Sequence, residues 1–203
     1  MSDEAKNDTE KSTSQVSIDL DNLNAIGLVG DVTEEVSSDI IFSLLLLSEK
    51  QNKEYHTTIQ ALEDAKEAIT SEISQALKPS IDFYISTNGG SSDEMFGIYD
   101  VMSHIKNNSL TEIHTYGIGK VMSAGVLLLA AGSKGKRKIG KHCRIMIHSV
   151  IGGATGAMQS LSTEFNEIKH IQDIYIAALA SETNLTESGL KKMFRKNTNI
   201  YLT

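Results

Sequence analysis

The sequence predicts an α/β fold with helices packed on the faces of a sheet, and three observations predict it. Short apolar runs of strand length, bounded by turn-forming residues, alternate with segments whose apolar residues recur at helical spacing. The chain has 203 residues, a length that one hydrophobic core can serve. Its composition, 40% apolar and 22% charged, is that of an ordinary globular body.

Taken in order, Ala25-Ile-Gly-Leu-Val29 is an apolar run that ends in Gly30-Asp31, as a buried strand and its turn do. Thr33, followed by Glu34 and Glu35, supplies a capping hydroxyl and first-turn acids for a helix. Its apolar set, from Val36 through Ile40, Leu44 and Leu47, keeps helical spacing to Ser48. From 49 to 78 the composition turns polar, yet Ile59, Leu62, Ile69, Ile73 and Leu77 share one face, so a second amphipathic helix is expected there, ended by Pro79. Ile81-Asp-Phe-Tyr-Ile85 is the next strand, and Ser86 to Ser92 forms its connecting loop through Gly89-Gly90. Met95, Ile98, Met102 and Ile105 carry a helix, and residues 112–118 a strand. The apolar run 124–131 reads as a short buried helix, and Arg144-Ile-Met-Ile147 as a strand closed by His148. Leu161, Phe165, Ile168, Ile171, Tyr175 and Leu179 mark a long helix of about five turns.

Domain organisation follows. Residues 1–24 are expected to form a flexible acidic tail, since Asp3, Glu4, Asp8, Glu10, Asp19 and Asp21 outweigh Lys6 and Lys11. Residues 25–203 are expected to form the folded domain, with an inserted or extended helix at about 49–78. The net charge of −7 argues against a general nucleic-acid binder, because phosphate affinity comes from Lys and Arg. The basic run Lys134-Gly-Lys-Arg-Lys138 reads as a solvated face. Neither a spanning apolar run nor a signal-peptide pattern is visible, so a soluble, cytoplasmic protein with no membrane partner is expected. One cysteine, Cys143, and scattered histidines offer neither an internal disulfide nor a metal-ligand spacing. No metal or cofactor is expected, and Cys143, His56, His104, His114, His142 and His170 are read as structural.

Three features converge on chemistry. Ser123 precedes Ala124-Gly125 at a helix start, where free backbone N–H groups face an anionic oxygen. His148 closes a strand end, from which a general base can lean toward a hydroxyl. Gly89-Gly90 ends another strand and offers a second backbone donor. A serine before Ala-Gly also serves as a cap, and a histidine after a strand is often merely polar; spacing alone leaves both readings open.

Asn88-Gly-Gly90 with Ile98-Tyr-Asp100 and Met102, then Gly119-Lys-Val-Met-Ser-Ala-Gly125, Ala131-Gly-Ser-Lys-Gly-Lys-Arg137 and Arg144-Ile-Met-Ile-His148 resemble, in order, the proteolytic-subunit family of the Clp protease. The resemblance runs through roughly residues 25–48 and 81–203. It implies a ClpP/crotonase-type spiral of β-β-α units, with a handle helix at about 159–181 through which two heptameric rings stack. It implies a serine endopeptidase that cuts unfolded polypeptides inside a barrel-shaped homo-oligomer or mixed ring, fed by an AAA+ unfoldase. With no GxxxxGK[ST] loop, this chain is not expected to hydrolyse ATP itself. By resemblance Ser123 is the nucleophile, His148 its base, and the N–H groups of Gly90 and Ala124 the oxyanion hole.

The family's triad acid precedes an Arg-Phe-Leu-Ser-like segment; here Ile200-Tyr-Leu-Thr203 places Asn199 at that position. A neutral amide can fix the imidazole tautomer but cannot stabilise the imidazolium by charge, so a weakened peptidase is expected, with a non-cutting structural ring member as the alternative. Asp173, on the handle helix, is a possible substitute acid. Thr87-Asn88 stands where the family has Ser-Pro, Ser149 where it has Gln, and the C-terminus is expected to be short of the family's. Acyl-CoA chemistry shares this fold, but the ordered Ser and His blocks argue against it.

Overall fold

The structure, a computed structural model, describes residues 23–66, 68–196 and 199–202. The expected acidic tail lies outside the described residues, apart from its last two positions. In chain order the elements are β1 (Ala25–Val29), α1 (Glu34–Asp64), α2 (Ser71–Ala76), β2 (Ser80–Thr87), α3 (Ser92–Asn108) and β3 (Glu112–Met122). After these come α4 (Ala124–Ala130), β4 (Arg137–Ile139), β5 (Arg144–Ile147), α5 (Met158–Glu182), α6 (Glu187–Phe194) and β6 (Ile200–Leu202). The α/β class holds, and β4-β5-α5 is a β-β-α run within it.

The strands form one mixed sheet in the order β1-β2-β3-β5-β6. β4 pairs with Thr115–Gly117 of β3 and β5 with Lys120–Met122, so both lie along the same long strand. Pairing is parallel except between β5 and β6. The carboxyl ends of β1, β2, β3 and β5 therefore open toward one side, the place where a parallel sheet gathers its functional loops. Leu28, Ile81, Phe83, Ile85 and Ile113 are fully buried on the sheet, and Leu127 and Leu128 of α4 are buried with them. Each such side chain contributes about 1.5–3 kcal/mol relative to exposure. Sequestering α4 in this way fixes the start of the helix that Ser123 precedes.

Local chemistry explains both the agreements and the differences. Thr33 Oγ1 accepts from the Val36 N–H, capping α1 as its sequence predicts. The expected break after Ser48 is absent, and α1 runs on to Asp64 before the short α2. Ser48, where the first helix reads as ending, and Asn52 instead face the loop after α3. Asn52 Nδ2 donates to Ser48 O at 2.7 Å and to Thr111 Oγ1 at 2.9 Å, and Ser48 Oγ donates to Thr111 Oγ1. α2 stops at Ala76, short of Pro79, in keeping with the extended backbone that a proline imposes on its predecessor. β3 continues past Gly119, where φ is +62°, to Met122, beside a register shift in β2 between Ile85 and Thr87.

His114, read as structural, sits between two carboxylates, with Nδ1 at 3.4 Å from Asp82 Oδ1 and Nε2 at 3.1 Å from Glu112 Oε2. One charge reading is corrected. The basic run is not simply solvated: Lys136 pairs with Glu112, Lys138 lies over the Tyr116 ring, and Arg137 donates to Gly132 O, Glu182 O and the Glu182 carboxylate. This run thus ties β4 to the end of α5.

Candidate active site

Ser123 joins β3 to α4 with φ 54° and ψ −121°, and a positive φ occurs at one other non-glycine among the described residues, Lys66. Such backbone is costly and persists only when its surroundings hold it. Here they do. The Ser123 N–H donates to Met146 O on β5 at 2.8 Å, and its carbonyl accepts from the Val126 N–H at 3.0 Å and from the Tyr175 hydroxyl at 3.0 Å. The sharp turn between strand and helix leaves the hydroxyl at a cleft of about 430 Å³, lined among others by Asn88, Gly90, Ala124, His148, Ile171 and Tyr175.

The opposite lip is glycine for a steric reason. Gly89 has φ +102°, and a Cβ there would lie 2.5 Å from Ser123 Cβ; Gly90 has φ +155°, and its Cβ would lie 2.3 Å from Val32 O. The strip is anchored by Val32 N–H to Gly89 O, Ser91 N–H to Val32 O and Gly89 N–H to Thr87 Oγ1. Only bare backbone fits beside the serine. Ala124, the first residue of α4, presents an N–H that has no acceptor within its own helix.

His148 follows β5 directly and is half-buried. Its Nδ1 is hydrogen-bonded to Ser149 O, which places the ring proton on Nδ1 and leaves the Nε2 lone pair available. No hydrogen bond joins His148 to Ser123 among the described residues, although both line the same cleft. The β5–β6 pairing runs Ile145↔Leu202, Met146↔Tyr201 and Ile147↔Ile200, so one further step sets Asn199 level with His148. Asn199 is exposed and does not line the cleft. Asp173 is paired with Lys191 Nζ at 3.6 Å and faces a different groove.

A family model described as Clp protease matches residues 64–201, a span that contains both lips of the cleft. The chain belongs to the Clp protease family. The ATP-dependent Clp protease proteolytic subunit 1 of Prochlorococcus marinus subsp. pastoris (strain CCMP1986 / NIES-2087 / MED4) is 40% identical over 100 residues, 49% of either chain. Its counterpart in Prochlorococcus marinus (strain MIT 9312) is 38% identical over 109 residues, 54% of either chain. Proteolytic subunit 2 of Synechococcus sp. (strain CC9605) is 39% identical over 103 residues, 51% of this chain and 50% of that one. The chain thus spans about half the length of the curated relatives it matches.

Within this Clp protease family chain, the structure brings Ser123, His148, Gly90 and Ala124 to one cleft and leaves Asn199 outside it. Sequence reasoning missed the Ser149 carbonyl, because a backbone acceptor carries no residue-type signal. It also missed Tyr175, whose helical spacing marked it only as a core residue. Among the described residues no group of three or more His, Cys, Asp or Glu is placed to hold a metal, and no helix is long and apolar enough to cross a membrane.

Proposed function

We propose that the chain is a serine-type endopeptidase subunit acting on unfolded polypeptides, with Ser123 as nucleophile and His148 as general base. The observation that carries this reading is the backbone of Ser123, held in a strained turn that delivers its hydroxyl to the cleft His148 lines. In the reacting state His148 would turn Nε2 toward Ser123 Oγ across the cleft that both residues line. It would take the hydroxyl proton as the oxygen attacks a peptide carbonyl, then return that proton to the leaving amine. The N–H groups of Gly90 and Ala124 flank the same space and would stabilise the developing oxyanion, each such donor typically being worth about 10²–10³ in turnover.

The Ser149 carbonyl would fix the imidazole tautomer, and Asn199, the residue just before β6, would be a second orienter if its side chain turned toward the ring. Neither group carries charge, so the imidazolium formed during attack lacks a carboxylate partner. Turnover is therefore expected to be lower than at a site with aspartate at position 199. We further propose that the subunit works in stacked rings, homomeric or mixed, and receives substrate from an AAA+ unfoldase.

A fluorophosphonate probe tests the reading. It should label Ser123 in the assembled particle and spare Ser123→Ala. Absence of labelling would leave a ring member that does not cut.

A further inference from the structure

We infer that Tyr175 of α5 is a positioning residue for Ser123, holding the strained turn through its phenol; the inference rests on Ser123 being the nucleophile. Tyr175 is 4% exposed, yet its hydroxyl is not placed there for solubility or packing: it donates to the Ser123 carbonyl at 3.0 Å across 52 residues of chain. Among the described residues it is the one side chain hydrogen-bonded to Ser123. The other two ties, from Met146 and Val126, are main chain and come with the sheet and the helix themselves. Burial pushes the phenol pKa up, so the donor stays protonated across the working range.

The ring is itself held. It stacks on Phe194 of α6, with centroids 6.2 Å apart and planes 10° from parallel, and it lines the same cleft as Ser123 and His148. A donor fixed on a rigid helix can resist relaxation of the positive φ at Ser123, and that φ sets where Oγ points. Rotation of the carbonyl by loss of this bond would displace the hydroxyl without emptying any core volume.

Tyr175→Phe keeps the buried ring and removes only the donor, and the Ser123 carbonyl retains the Val126 N–H. In the full-length assembled protein, fluorophosphonate labelling and kcat should fall about 10- to 100-fold, as misplacement of a reacting group does. KM should stay within about twofold and Tm within about 3 °C, the size of shift one hydrogen bond gives in a chain of this length. Unchanged labelling with a lowered Tm would make Tyr175 a packing residue and overturn the inference alone. Failure of the wild-type protein to label would overturn the nucleophile assignment and this inference with it, so the two failures are told apart by the wild-type lane.

Discussion

An imidazole that already donates its Nδ1 proton is set as a base at Nε2, whichever oxygen does the accepting. At His148 that oxygen is the Ser149 carbonyl, a group no substitution at 149 removes. Asn199→Ala should accordingly change kcat by less than about threefold, far from the roughly 10⁴-fold fall seen when a serine-protease triad loses its tautomer control. Steady-state peptide hydrolysis measures this, and a loss above about 100-fold would return the orienting role to Asn199. A second residue-scale expectation concerns Glu112. Its hydrogen bond from Lys78, aided by His114 and Lys136 against the cost of burial, lowers its pKa from 4.5 to about 2. A carboxylate depressed in the folded state gives stability that is complete above its unfolded pKa and lost as pH falls through the folded one. Tm should therefore decline as pH falls from about 4.5 toward about 2. Glu112→Gln should lower Tm at pH 7 and flatten that decline in a thermal-melt series.

At the scale of elements, the cleft depends on a strand end that tolerates no side chain. Gly89→Ala would need φ +102° in a residue with a Cβ, and would push that atom to 2.5 Å from Ser123 Cβ and 3.0 Å from Met122 O. Overpacking of this kind costs about 1–3 kcal/mol before the backbone strain is added. Gly89→Ala should lower Tm by at least about 3 °C and also slow probe labelling at Ser123. Gly153, with open space around it, is the matched control and should change neither. Calorimetry and gel fluorescence read the two effects. The same scale shows what the sequence could reveal. β1, the cap at Thr33, β2 and the apolar run of α4 were legible because periodicity, capping hydroxyls and turn glycines are local signals. The continuity of α1 was not legible, because Ser48 and Asn52 are polar for a partner 59 or more residues away, the hydroxyl of Thr111. β4, α6 and β6 were missed for a related reason: strands of three residues take their shape from the pairing they find, and α6 is amphipathic over only eight residues. The site was half legible. Residue type marks a serine and a histidine, whereas a carbonyl acceptor and a strained φ leave no mark on the sequence.

For the molecule as a whole, α5 poses a problem that one subunit does not solve. Its fully buried residues, Tyr175, Ile176 and Leu179, all lie in its last third, while Met158 is 82% and Phe165 68% exposed. A helix draws most of its stability from tertiary packing of an apolar face, and the first two-thirds of α5 find little of that within the subunit. α1 carries the same signature on its outer face, where Phe42 and Leu46 are exposed. Exposed apolar side chains of this kind fit contact with another chain, and the proposed ring stacking would cover them. Phe165→Asp places a charge on the exposed stripe and leaves Tyr175, Ser123 and the cleft untouched. Native mass measurement should then show the wild-type protein as a large oligomer and the variant shifted to smaller species at the same concentration. Far-UV circular dichroism should also fall on dissociation, as the unsupported part of α5 frays. An unchanged particle mass in Phe165→Asp would mean that α5 is stabilised by contacts other than this stripe, and the search for the interface would move to the outer face of α1.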